Sequence, residues 1–345
     1  MKIIIDAMGG DNAPKAMVQG ALLARKKWPD TEIVLTGREE AIRAAAVECG
    51  AAELPEGITI RPASEVIEMS DDPAMAFKRK KDSSMTVGLN MLRDGEGDAF
   101  ISAGSTGALL SGATLVVKRI RGIRRAAMAP VIPSAAGQMV LCDCGANAEC
   151  TAEYLLQFAF LGSFFAKRML GIERPRVGLL NIGAEEEKGD ALRHETFALL
   201  QAADAAGRIH FIGNVEASTA MMGGADVVVA DGFTGNVLLK GIEGTAKMMS
   251  GVIKKMFLSS GKTKVAALLV KDEFGAVKKM LDPSEVGGTP FLGISKPVLK
   301  AHGSSDARAV FNAVRQARSF AASGFIDDVE ANIDYMRLDR NGERT

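Results

Sequence analysis

The chain has no excess charge of either sign. Lys plus Arg and Asp plus Glu number 42 each among 345 residues. The basic footprint of a general nucleic-acid binder is therefore missing, and any charged partner must be met by a local patch. Cysteine is scarce, at positions 49, 142, 144 and 150, too few and too clustered for a disulfide framework. No histidine lies near Cys142, Cys144 and Cys150 in sequence, the three being His194, His210 and His302, so a metal-ligand set is incomplete and no metal is expected. Cys142 and Cys144 fall on alternate positions of an apolar strand, where cysteine acts as a small hydrophobe. The longest apolar stretch, residues 154–166, is interrupted by Gln157 and falls short of the ~20 residues of a membrane span. The opening Met1-Lys-Ile-Ile-Ile-Asp6 is too short in its apolar part for a signal peptide and reads as a first strand. A cytoplasmic protein without a transmembrane helix is expected.

Nucleotide and nucleophile motifs are missing as well. Ser260-Gly-Lys-Thr263 resembles the end of a phosphate-binding P-loop, but Met256 stands where that motif needs glycine, and the segment lies between amphipathic helices and not after a strand. No Gly-x-Gly-x-x-Gly follows the first strand, and no Gly-x-Ser-x-Gly elbow is present. No cofactor is expected. Cys144 has no base beside it in sequence, which speaks against an acyl-cysteine intermediate.

What is present is an alternation of strand-like runs, at residues 3–6, 33–36, 58–61, 99–102, 139–142, 177–182, 209–212 and 227–230, with alanine-rich helical stretches. This predicts an α/β fold, a mostly parallel sheet with helices on both faces. Residues 1–345 contain no Ser/Gly/Pro linker, low-complexity tract or internal repeat and read as a single domain. Residues 151–170 are apolar nearly all round, as in a buried helix. Such a helix either crosses the core or makes a subunit contact; the second is favoured here, giving a homodimer.

Five polar turns each follow a short apolar run. In residues 101–108, Ile-Ser-Ala-Gly-Ser-Thr-Gly-Ala, Gly104, Ser105, Thr106 and Gly107 form a strand-to-helix junction. Its N–H groups, hydroxyls and helix N-terminus suit a phosphate; the alternative is a loop that caps its own helix. The other turns are residues 6–11, 143–147 with Asp143 and Asn147, 181–189 with Asn181 and Gly183, and 231–236. Carboxyl ends of parallel strands line one sheet edge, so the five are expected to build one site.

Residues 242–281 differ from the rest. Met249, Val252, Ile253, Met256 and Phe257 recur at helical spacing, and Val265, Leu268 and Leu269 begin a second stripe that Val277, Met280 and Leu281 resume. Eight lysines between Lys247 and Lys279 face only Asp272 and Glu273, the local basic patch that the neutral total conceals. Three readings stand: a helix pair packed on its own subunit with the stripe as core, a carrier-protein surface, or a membrane-surface element. The latter two use Lys254, Lys255, Lys262 and Lys264.

Taken together the loops resemble the bacterial phosphate acyltransferase family. The resemblance rests on Asp6-Ala-Met-Gly-Gly-Asp-Asn-Ala-Pro14, Ser102-Ala-Gly-Ser-Thr-Gly-Ala108, Asp143-Cys-Gly-Ala-Asn147, Asn181-Ile-Gly-Ala-Glu-Glu-Glu-Lys-Gly189, Gly213-Asn-Val-Glu216, residues 226–236 and Lys300-Ala-His-Gly-Ser-Ser305. It implies a three-layer α/β/α sandwich akin to phosphotransacetylases and isocitrate and isopropylmalate dehydrogenases, in a homodimer without metal or nucleotide. It also implies acyl transfer from acyl carrier protein to inorganic phosphate in phospholipid synthesis, with a downstream glycerol-3-phosphate acyltransferase as a docking partner at the membrane. Lys188 and Asn236 match the residues that matter for turnover in that family. His302 is a candidate of the substrate and phosphate site, to orient a loop or move a proton, with a purely structural role equally open. Within enzymes the alternative is a phosphotransacetylase for short acyl-coenzyme A; outside them, a non-catalytic acyl-lipid or carrier-protein binding module.

Overall fold

A computed structural model describes residues 1–271, 275 and 287–336 of the chain. The first strands are β1 (Lys2–Asp6), β2 (Glu32–Gly37), β3 (Ile58–Pro62), β4 (Ala99–Ser102) and β5 (Ala127–Met128). After them come β6 (Val131–Ser134), β7 (Gly137–Cys142), β8 (Arg176–Leu180), β9 (His210–Val215) and β10 (Val227–Val229), then β11 (Thr289–Leu292) and β12 (Val298–Lys300). They form two sheets and not one. The first has seven strands in the order β3-β2-β1-β4-β12-β11-β5, and the second has five, β6-β7-β10-β8-β9. Pairing is parallel except at β12-β11-β5 and β6-β7. The chain leaves the first sheet at Met128 and enters the second at Val131; Pro130 stands between, and without an N–H it cannot carry one ladder into the next.

β1 is central in its sheet because Ile3, Ile4 and Ile5 are fully buried, as expected of a parallel strand covered on both faces. Side chains alternate between two cores. Ile3 and Ile5 join a cluster that also holds Val140, Cys142, Val227 and Val229 of the second sheet, so both sheets turn one face to the same interior. Ile4 and Phe100 face a second cluster outside the first sheet, and Leu141 and Val228 a third outside the second.

Helix Ala152–Leu170 lies in the shared interior. Its Phe158, Phe160 and Phe165 are completely buried. Phe165 meets Phe320 of helix Ala307–Ala322 edge-on at 5.7 Å between ring centres, and Gln157 binds the Arg124 amide at 2.8 Å. The apolar faces expected to make a subunit contact are thus consumed within the chain. A homodimer therefore rests on the family resemblance alone.

The amphipathic segment forms helix Gly232–Leu258 and helix Gly261–Leu269, the second opened by a Ser260 and Thr263 capping box. Leu238, Leu239 and Ile242 anchor the first on the outer core of the second sheet. Farther along, the stripe is uncovered: Met249 is 45% exposed, Val252 54%, Met256 53% and Leu269 80%. The reading of this stripe as core of its own subunit is overturned. Val277, Met280 and Leu281 lie outside the described residues. Among the described residues no helix is long and apolar enough to cross a membrane.

Candidate active site

The polar turns fall into two groups, one at the carboxyl ends of each sheet. In the first sheet β1, β4 and β12 are neighbours, which gathers residues 6–12, 102–107 and 300–305. Buried Asp6 accepts from the Ser102 hydroxyl at 2.7 Å, and the same hydroxyl accepts from the Gly104 amide at 3.1 Å. Burial raises the Asp6 pKa against the hydroxyls of Ser84 and Ser102 and the amides of Met8 and Gly9. Lys300 donates to the carbonyls of Ala103 at 3.1 Å and Ala301 at 2.5 Å. Burial pulls its pKa down to about 8, with Asp6 and Asp11 opposing. The expected phosphate junction is occupied by its own structure: Ser105 caps helix Thr106–Gly112, accepting from the Ala108 amide at 3.4 Å. Thr106 is half-buried and Gly107 exposed. His302 is exposed, and its Nδ1 accepts from the Ser304 amide at 3.2 Å within its own loop.

The second group lies at the ends of β7, β10 and β8, again neighbours. Asp143 is fully buried. Its carboxylate accepts from the amides of Met128 (2.8 Å), Cys144 (2.6 Å), Ala146 (3.3 Å) and Asn147 (2.7 Å) and from the Asn147 side chain (3.0 Å). Asn147 also donates to the Ala126 carbonyl at 2.8 Å. These two, expected to bind substrate, spend their polar atoms holding the loop. Met128 belongs to β5, the edge strand of the first sheet, so this contact ties the Asp143 loop to that sheet.

Burial raises the Cys144 pKa to about 12, and that of Cys150 likewise. Both thiols are protonated at neutral pH and poor nucleophiles. Among the described residues no group of three or more His, Cys, Asp or Glu is arranged to hold a metal ion.

Asn181 braces the loop after β8, accepting from the Ile182 amide at 2.8 Å and donating to the Lys188 carbonyl at 3.0 Å. Asn214 adds a bond to the Glu185 carbonyl at 2.8 Å. Gly183 leaves room for the lysine: a Cβ there would lie 2.9 Å from the Lys188 Cγ. Lys188 itself is exposed, and no ion pair joins it to Glu185 or Glu187. Asn236 is exposed on the opening turns of helix Gly232–Leu258. That helix is capped by Asp231, which accepts from the Thr234 amide at 2.8 Å, and not by Asn236. Its side chain lies beside Gly145, whose added Cβ would sit 3.5 Å from the Asn236 Cγ. Among the described residues neither the Lys188 ammonium nor the Asn236 amide has a side-chain partner, while Asn181 and Asp231 beside them are hydrogen-bonded and the Asn214 Oδ1 is buried without a partner.

Sequence reasoning missed Asp6, Lys300 and Arg193. Lys300 heads a recognised motif but has the look of a surface lysine. Arg193, in an alanine-rich helix, carries no local signal at all.

The family described as "Fatty acid synthesis protein" matches residues 1–328. The chain is 46% identical over 336 residues to the phosphate acyltransferase of Thermoanaerobacter pseudethanolicus, covering 97% of this chain and 98% of that one. It is 47% identical over 335 residues to that of Geobacillus thermodenitrificans, covering 97% and 99%. Among solved structures, a phosphotransacetylase from Streptococcus pyogenes is similar in fold, with a TM-score of 0.62 at 16% identity over 93% of this chain and 94% of that one. The three-layer α/β/α expectation agrees with that likeness. With identity of this level along nearly its whole length, the chain belongs to the phosphate acyltransferase family.

Proposed function

We propose that the chain transfers a fatty acyl group from the thioester of acyl carrier protein to inorganic phosphate, giving acyl phosphate for phospholipid synthesis. One observation carries the reading: among the described residues Lys188 and Asn236 have exposed side chains without a side-chain partner, in the turns after the neighbouring strands β8 and β10, whose loops are braced by Asn181 and Asp231. Chemically little more is needed. Phosphate near neutral pH is already an anionic nucleophile, by analogy with a second phosphoester pKa of about 6, and a thiol of pKa near 8.5 leaves readily as thiolate. A phosphate oxygen forms the new bond to the acyl carbon, the carbonyl becomes an oxyanion, and the C–S bond breaks with its electron pair on sulfur. Lys188 neutralises and aims the phosphate; the Asn236 amide donates to the developing oxyanion. Asn181, Gly183, Asp143 and Asn147 hold the two loops in place.

The exposed stripe with Lys254, Lys255, Lys262 and Lys264 serves carrier-protein docking and peripheral attachment to anionic membrane, where the product is released to the next acyltransferase. The broad basic surface of the helix pair favours this donor over short acyl-coenzyme A, which does not require one. The deciding assay mixes the protein with acyl-carrier thioester and phosphate and looks for acyl phosphate. Turnover of acetyl-coenzyme A but not of the carrier thioester would reverse the assignment.

A further inference from the structure

Two helices start on either side of the proposed centre, and each opens with an aspartate. Asp190, two residues after Lys188, caps helix Ala191–Ala205 by accepting from the Arg193 amide at 2.9 Å. Asp231, five residues before Asn236, caps helix Gly232–Leu258 through the Thr234 amide at 2.8 Å. In both caps Oδ1 binds a helix amide and Oδ2 faces away from it, that of Asp231 also accepting from the Thr234 hydroxyl at 2.8 Å. A single guanidinium takes both Oδ2 atoms. Arg193 Nη1 lies 3.1 Å from Asp190 Oδ2, while Nη2 binds Asp231 Oδ2 and lies 3.0 Å from the Thr234 hydroxyl.

The arm to Asp231 is sheltered, with the Arg193 side chain 13% exposed and that of Asp231 8%, whereas Asp190 on the other arm is 63% exposed. Burying charge costs free energy that an alanine on the same helix would avoid, so the pair stabilises little on balance against an apolar substitute. What it does fix is geometry. Between Lys188 and Asp190 stands Gly189, where a Cβ would lie 2.8 Å from the Arg193 Cβ and 2.7 Å from Asn181 Oδ1. The backbone of Gly189 is therefore packed between Asn181 and Arg193, which ties the Lys188 loop to the start of this helix.

We propose that Arg193 is a positioning residue of acyl transfer: its fork, joining the Asp190 cap to the Asp231 cap, sets the separation of Lys188 and Asn236. The proposal rests on the assignment of those two residues to the reaction. Two groups that act on one transition state must be held to within about 1 Å, since a displacement of that size costs on the order of 100-fold in rate. A guanidinium suits the task because it presents donors in a rigid planar fork, which an ammonium cannot.

The test is a kinetic cycle with Arg193→Lys, Arg193→Gln and Lys188→Met, singly and with each Arg193 variant combined with Lys188→Met. Both Arg193 variants are expected to lower kcat by roughly 10- to 100-fold, the scale of a misplaced group. In the Lys188→Met background they are expected to add almost nothing, because the group they position is gone. Should Arg193→Gln not fold, Arg193→Lys keeps the charge and carries the cycle. Normal kcat in the Arg193 variants, or a full multiplicative loss on top of Lys188→Met, would overturn the proposal and leave Arg193 a structural bridge. Normal turnover by Lys188→Met alone would sink the catalytic assignment and this proposal with it.

Discussion

A Cβ built on Gly235 would lie 2.0 Å from the carbonyl oxygen of Asp143. The helix that carries Asn236 is thereby pressed against the loop that the Asp143 carboxylate organises. The obstacle is backbone, which cannot rotate aside as a side chain can. Gly235→Ala should cost at least the ~1–3 kcal/mol typical of overpacking and also lower activity, because the helix start must shift. An unchanged melting temperature would show that the contact has more freedom than its geometry implies.

Lys188 offers the most direct chemical test. Lys188→Met should cut turnover by at least ~100-fold, the scale of losing one pre-aimed electrostatic group. The exposed side chain has no partner to lose, so circular dichroism and thermal melting should stay as they are. Wild-type turnover in this variant would remove Lys188 from the transition state.

Lys300 makes the protein's stability depend on pH in a window of its own. Burial lowers its pKa from 10.5 to about 8, so between these values the unfolded chain holds a proton that the folded chain has lost. Stability then rises with pH across the window. Below pH 8 both states are charged and the folded protein bears the full cost of the buried ammonium. Relative to Lys300→Met, the wild type should therefore gain melting temperature from pH 8 toward pH 10. A difference that stays flat over that range would contradict the burial of the charge.

The basic helix pair can be separated into its roles by charge reversal. Lys254, Lys255, Lys262 and Lys264 are exposed, so changing all four to Glu should leave the fold intact. The Michaelis constant for acyl-carrier protein should rise, and sedimentation with anionic vesicles should be lost, each effect shrinking as salt is raised. Vesicle binding lost at an unchanged Michaelis constant would leave only the membrane role, and no change in either would make the lysines ordinary surface.

Much of the fold is legible in particular residues. Ile3 to Ile5 and Val227 to Val229 are β-branched runs ended by polar turns, and both are central strands. β5 and β12 are not legible, with two and three residues each; only neighbouring strands make them strands. The spacing of Met249, Val252 and Met256 reveals a helix, yet the same stripe would serve a core or an open surface, and only the surrounding fold distinguishes them. Asn236 and Lys188 were found through motifs. Arg193 was not, because its partners Asp231 and Thr234 stand about forty residues away on another helix, and such a contact leaves no periodic trace.

The helix Ala152–Leu170 gives the two sheets a common fate. Its phenylalanines are buried in the interior that Ile3 and Ile5 share with Val227 and Val229, and Phe165 reaches Phe320 on a helix that packs against the first sheet. A cavity opened at Phe158 or Phe165 would loosen both halves at once, typically by ~3–5 kcal/mol for loss of a buried phenylalanine. Two sheets that look like separable modules thus share one core, and a single melting transition is the expected outcome, lowered as a whole by either substitution.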